Sequence, residues 1–129
     1  MNIINRNLTI VQNPANKTAK CTAGCTVTLD AFETASLLIP GFPGFRLSCV
    51  LLGIDPGPDD TLFIYPRSKK FTNILDITGV NQVFEDDLSF SILNEDANGA
   101  DEIRAEFTLI NLSTGQSRVR RSNQVQMNF

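Results

Sequence analysis

Residues 21–29 read CTAGCTVTL, and their two thiols admit two opposite readings. Cysteines four positions apart suggest a metal or redox site, whereas the same letters taken two at a time describe a strand. Cys21, Ala23, Cys25, Val27 and Leu29 are apolar and odd-numbered, while Thr22, Gly24, Thr26 and Thr28 fill the even places. Alternation this long marks a half-buried strand with both thiols on the core side. In extended chain the two cysteines stand about 13 Å apart, too far for a mutual disulfide or for shared ligation of one metal ion. Read so, the thiols are small apolar filler. One further option is a bond from Cys21 or Cys25 to Cys49 on a neighbouring strand.

The rhythm recurs along the chain. Ala35, Leu37 and Ile39 alternate around Ser36, and Phe45, Leu47, Cys49 and Leu51 around Arg46 and Ser48. Leu88, Phe90 and Ile92 are spaced by serines; Ile103, Ala105, Phe107 and Leu109 by Arg104, Glu106 and Thr108; Val125, Met127 and Phe129 by Gln126 and Asn128. Shorter runs at 8–11, 62–65 and 71–77 bring the expectation to eight or nine strands. The best helical alternative, residues 30–38, stops at Pro40 and is allowed a turn at most.

Turn formers separate these runs: NPAN at 13–16, PGFPG at 40–44, DPGPDD at 55–60, NEDANGAD at 94–101 and STGQ at 113–116. Each offers residues that accept positive φ or fix φ where the chain reverses. Short alternating strands at roughly ten-residue spacing predict an all-β, antiparallel β-sandwich spanning 1–129 as one domain, with immunoglobulin-like or jelly-roll connections. No Trp is present to mark the core of an antibody-type domain.

Composition narrows the function. With 11 basic and 14 acidic residues the net charge is -3, which opposes attraction to a phosphate backbone, so no nucleic-acid partner is expected. The longest mostly apolar run, 49–54, is far short of the roughly 18 residues of a membrane span. No secretory leader is visible at the start, and an odd number of cysteines fits a reducing compartment; a soluble, cytoplasmic setting is the expectation. Three Asn-x-Ser/Thr sequons, at Asn7, Asn16 and Asn111, are about what chance supplies in an Asn-rich chain.

Catalytic chemistry is poorly provided for. The absence of histidine removes the usual general base and the commonest transition-metal ligand, so the expectation is a non-enzyme. The best cofactor candidate is calcium in the loop 94–106, NEDANGADEIRAE. Asn94, Asp96 and Asn98 fall at alternate positions before Gly99, an order that converges hard ligands on one cation, with Asp101 a further oxygen donor standing where the pattern has an apolar residue and Asn94 where it has an Asp. The bidentate Glu expected at the twelfth place is Ala105 instead, and an Asn-Gly hairpin with solubilising acids needs no ion. If every run is a strand, the acids around 30–33, 55–60 and 85–87 gather at one end of the sandwich, a second calcium option.

Two features point to protein contacts. Arg118 and Arg120 share one strand face while Arg121 points away; the pair would grip an anion or a partner's carboxylate, or else protect an edge strand. Phe42, in the turn IPGFPGF, is either an exposed anchor or a plug for the open end of the core. Nine Phe against one Tyr weaken a sugar-stacking platform. The functional expectation is a structural or interaction module that assembles with itself or with a protein partner, with a calcium-dependent sugar- or lipid-binding sandwich as the alternative.

Overall fold

Chain alternation and hydrogen bonding agree over most of the molecule. The computed structural model describes residues 1–94 and 99–129, and among them nine strands form two antiparallel sheets. The first sheet holds β1 (Asn2–Asn13), β2 (Thr18–Thr28) and β6 (Asn81–Ser89) in the order β1-β2-β6. The second is built on β3 (Phe45–Gly53) and β7 (Asp101–Asn111), its two long central strands. Beside β3 lie β4 (Asp60–Ile64) and β5 (Lys69–Phe71), and beside β7 lie β8 (Ser117–Arg121) and β9 (Val125–Met127). The protein is thus an all-β sandwich.

The core lies between the sheets, where the alternating residues meet. Cys21, Ala23, Cys25 and Val27 of β2 are buried together with Phe45, Leu47, Cys49 and Leu51 of β3 and Ile103, Ala105, Phe107 and Leu109 of β7. All three cysteines are free thiols, so the bond to Cys49 does not form. The lone tyrosine ties the layers: Tyr65, just past β4, takes its amide to the Cys49 carbonyl (3.1 Å) and donates its hydroxyl to the Cys21 carbonyl (2.9 Å). At this buried position the donated bond satisfies a hydroxyl that would otherwise be costly to desolvate.

Several sequence expectations are corrected. Residues 35–39 are not a strand: α1 (Ala31–Ser36) and its trailing turn occupy them. The helix is longer than the single turn expected because Asp30 and Glu33 form a capping box, with Asp30 Oδ1 accepting from the Glu33 amide (2.7 Å) and Glu33 Oε1 from the Asp30 amide (3.0 Å). Phe90 and Ile92 leave the sheet, since Ser89 accepts from the Ser91 amide and starts the short helix α2 (Phe90–Leu93). The run 71–77 is strand only through Phe71, followed by a 3-10 turn at Ile74–Asp76 capped by Asn73.

These shifts undo the expected acidic end. Removing one strand between residues 30 and 45 changes the parity of the connections: Asp30 and Glu33 lie at the end where α1 crosses between sheets, and Asp55 and Asp59 at the opposite end. Glu85, Asp86 and Asp87 are not in a loop at all but in the middle of β6, opposite Thr22, Cys21 and Lys20 of β2.

Candidate functional site

Two connections cross between the sheets at the α1 end. The first is α1 with the turn behind it, closed by bonds from the Leu38 amide to the Ala35 carbonyl (3.0 Å) and from Ile39 to Ser36 (3.1 Å). The second carries the 3-10 turn. A cleft of about 260 Å³ lies between them, lined by Thr34, Leu37, Leu38, Thr72, Asn73 and Ile74, so the two crossovers are neighbours. Their inward side chains, Leu37 and Ile74, pack on the core. Their outward ones do not: Leu38 is 82% exposed, Phe32 80%, Leu75 77% and Ile39 59%. Four large apolar side chains are thus exposed on two adjacent short crossovers at this end of the sandwich.

Phe42 is on the same crossover but sits differently. It is half-buried, packs against the core and meets the Phe45 ring at 5.6 Å between centroids. Its turn is held by Gly44, whose φ is +94° and whose carbonyl accepts from the Leu112 amide at 3.0 Å.

On β8 the face assignments of the arginines are as the spacing requires, and the register says which face is which. Arg118 stands opposite Leu109 and Arg120 opposite Phe107, both fully buried, so these two arginines share the core side of an edge strand. Arg118 Nε donates to the Met1 carbonyl (3.3 Å) and Arg120 Nη1 to the Val119 carbonyl (2.8 Å). Arg121, on the outer face, bridges Glu106 (3.0 Å) and Asp59 (2.9 Å), which hold its guanidinium charged. Inward-pointing charge on an edge strand discourages indiscriminate pairing.

In the candidate calcium loop, Asp96 and Asn98 lie outside the described residues. Asn94 is exposed and closes α2 through its amide to the Phe90 carbonyl (2.8 Å), whereas Asp101 is buried at the start of β7 opposite Met127. Among the described residues no three Cys, Asp or Glu side chains are grouped to hold a metal ion. None of the described helices is long and apolar enough to cross a membrane. The thiols are poor nucleophiles: burial pushes Cys21 up to about 11 and Cys25 up to about 12, the latter against the pull of Lys69 and Arg6.

On the opposite flank, between the free edge of β6 and the segment joining β4 to β5, a cleft of about 380 Å³ is lined by Tyr65, Pro66, Lys69, Phe84 and Asp86 among others. The Lys69 ammonium lies 5.3 Å from the centre of the Phe84 ring. Sequence patterning did not flag the apolar end face, because apolar letters in short crossovers read as core. Comparison with known proteins returned no match: no protein-family profile, no curated protein and no solved structure aligns with the chain.

Proposed function

We propose that the chain is a non-enzymatic interaction module that docks onto a protein surface through the apolar end face. The observation that carries this reading is the exposure of Phe32, Leu38, Ile39 and Leu75 on two neighbouring crossovers. Scattered apolar residues are ordinary on a surface, but several on one face mark a contact site. The charges around them choose the partner class. Glu33 is neutralised by the Met1 ammonium, and Asp30 before α1 and Asp76 in the 3-10 turn leave this end weakly acidic, which favours a protein over anionic lipid or nucleic acid. The strand order, β1-β2-β6 against β4-β3-β7-β8, favours the immunoglobulin-like alternative over the jelly-roll, a scaffold whose end loops and edges serve recognition.

The test is site-specific photo-crosslinking in the native cell extract. A photoreactive residue in place of Leu38 is expected to form one defined protein adduct, to a second copy or to another chain, and the same residue in place of Val11, exposed on β1, is expected to form none. Equal labelling at both positions, or a lipid adduct at position 38, would overturn the reading.

A further inference from the structure

On the flank where β6 faces the β4–β5 edge, both sheets end in unpaired strands. Among the described residues β6 pairs only with β2, and β4 and β5 pair only with β3. The two walls of the cleft between them carry opposite charge. Glu85, Asp86 and Asp87 stand in succession on β6, while Arg67, Lys69 and Lys70 follow Tyr65 on the facing wall. We propose that this flank is a contact between two copies of the chain, related by a two-fold axis along the strands, in which the acidic wall of each copy meets the basic wall of the other.

Charge decides how two such flanks meet. A two-fold axis in the plane of the contact can run across the strands or along them. Across the strands, each sheet stays level with its own kind, so β6 opposes β6 and acid meets acid. Along the strands, one copy is turned over, first sheet for second, and β6 of each copy opposes residues 65–70 of the other. Opposite potentials across a contact favour it and steer the encounter, whereas like charges set against each other oppose it.

An axis along the strands preserves height, so the two walls meet only if they are level within one chain. They are level. Tyr65 donates its amide to Cys49 and its hydroxyl to Cys21, which pairs with Asp86, while Lys69 pairs with Leu47 and lies over the Phe84 ring. From Tyr65 to Lys69 the chain takes four steps where β3 takes two, so Pro66, Arg67 and Ser68 bulge from the edge, all three exposed. The bulge lies at the height of Glu85, and in the pair it presents Arg67 to Glu85 and Asp86 of the second copy. These charges are not consumed within the chain. Among the described residues Arg67, Lys69, Lys70, Asp86 and Asp87 form no ion pair, and Glu85 has only a long, exposed contact with Lys20 (3.7 Å). Because each copy supplies the same flank, the contact is isologous and closes at two copies.

Sedimentation velocity over a concentration series tests this. At roughly 10 mM salt the wild-type protein is expected to form a dimer, and at about 1 M salt, where screening shortens the reach of charge to about 3 Å, to dissociate. Arg67→Glu/Lys70→Glu leaves both walls acidic and Glu85→Lys/Asp87→Lys leaves both basic, all four positions being exposed. Each variant alone is expected to stay monomeric, while an equimolar mixture forms the dimer again. The mixture separates a broken contact from a broken fold, since misfolded partners do not rescue one another. Leu38→Ser/Leu75→Ser is expected to leave the dimer unchanged, so failure of the end-face reading registers separately. A wild type that stays monomeric at low salt, reversal variants that dimerise as it does, or growth past two copies that persists in Leu38→Ser/Leu75→Ser would overturn the proposal.

Discussion

The side-chain amide of Asn123 pairs with the backbone of Leu8 as a strand would: its Oδ1 accepts from the Leu8 amide at 2.8 Å and its Nδ2 donates to the Leu8 carbonyl at 3.1 Å. The two residues are 115 positions apart, Leu8 in the first sheet and Asn123 beside the second. Asn123 sits between β8 and β9, where Ser122 continues the ladder to Ala105 through both its amide (2.9 Å) and its hydroxyl (2.9 Å). The corner where β1 overlies the second sheet is therefore closed by a side chain posing as backbone.

Asn123→Ala is expected to destabilise the fold by about 1–3 kcal/mol, since both Leu8 groups lose their partner beside a buried side chain. Asn123→Asp keeps the acceptor and loses the donor, and is expected to fall between the two. Urea unfolding midpoints at fixed slope read the difference, and amide exchange at Leu8 should quicken in the alanine variant well before global unfolding.

Gly44 cannot be replaced cheaply. Its φ of +94° disfavours any side chain, and a Cβ there would lie 2.1 Å from the Phe71 carbonyl oxygen, a backbone atom of β5 that cannot swing away. Gly44→Ala is expected to cost on the order of 3 kcal/mol and to loosen β5 from β3, whereas Gly41→Ala, with a φ of +82° but open space around its Cβ, carries the conformational penalty alone, about 1 kcal/mol. Thermal melts of the two variants side by side check the ranking.

The thiols predict an alkaline loss of stability. Burial raises Cys21 from 9.0 to about 11 and Cys25 from 9.0 to about 12, and raises Cys49 further in the same direction. Between these limits the unfolded chain releases protons that the folded chain retains. Stability is thus fully present below about pH 9 and falls as pH rises toward 11–12, by up to about 1.4 kcal/mol per pH unit for each thiol. Denaturant midpoints at pH 8 and pH 10.5 should differ accordingly, and Cys21→Ala should flatten the slope. At pH 8 an alkylating reagent is expected to leave all three cysteines unmodified until denaturant is added.

Where one face of a strand is packed and the other is wet, its residues announce it. The runs 21–27, 45–51 and 103–109 were legible because every second side chain enters the same core. Ala35, Leu37 and Ile39 imitate that pattern by coincidence. The local signal against it was Asp30 followed by Glu33 three places on, a capping box that starts a helix. That single false strand displaced the 55–60 loop to the wrong end; β4 and β5, which run the same way beside β3, restored the parity after it. The strand β6 was hidden for the opposite reason: Glu85, Asp86 and Asp87 resemble a loop, and only Gln82, Phe84 and Leu88 are buried from it, because it is an edge. Exposure of Leu38 and Leu75 is set by where two crossovers lie in space, which no linear pattern carries.

Phe32 and Phe42 lie ten positions apart on one crossover and divide the labour that sequence alone assigned to Phe42. Phe42 packs on Phe45 and the core, while Phe32 projects from α1 at 80% exposure. Phe42→Ala is expected to destabilise the fold by about 1–3 kcal/mol, less than a fully buried Phe because part of its ring is already wet. Phe32→Ala is expected to leave stability within about 0.5 kcal/mol of wild type, since truncating an exposed side chain removes almost no packing. Its effect should appear instead in the yield of the adduct formed at position 38. A Phe32 variant that melts early with full adduct yield would mean that the exposed ring belongs to the fold and not to the docking face.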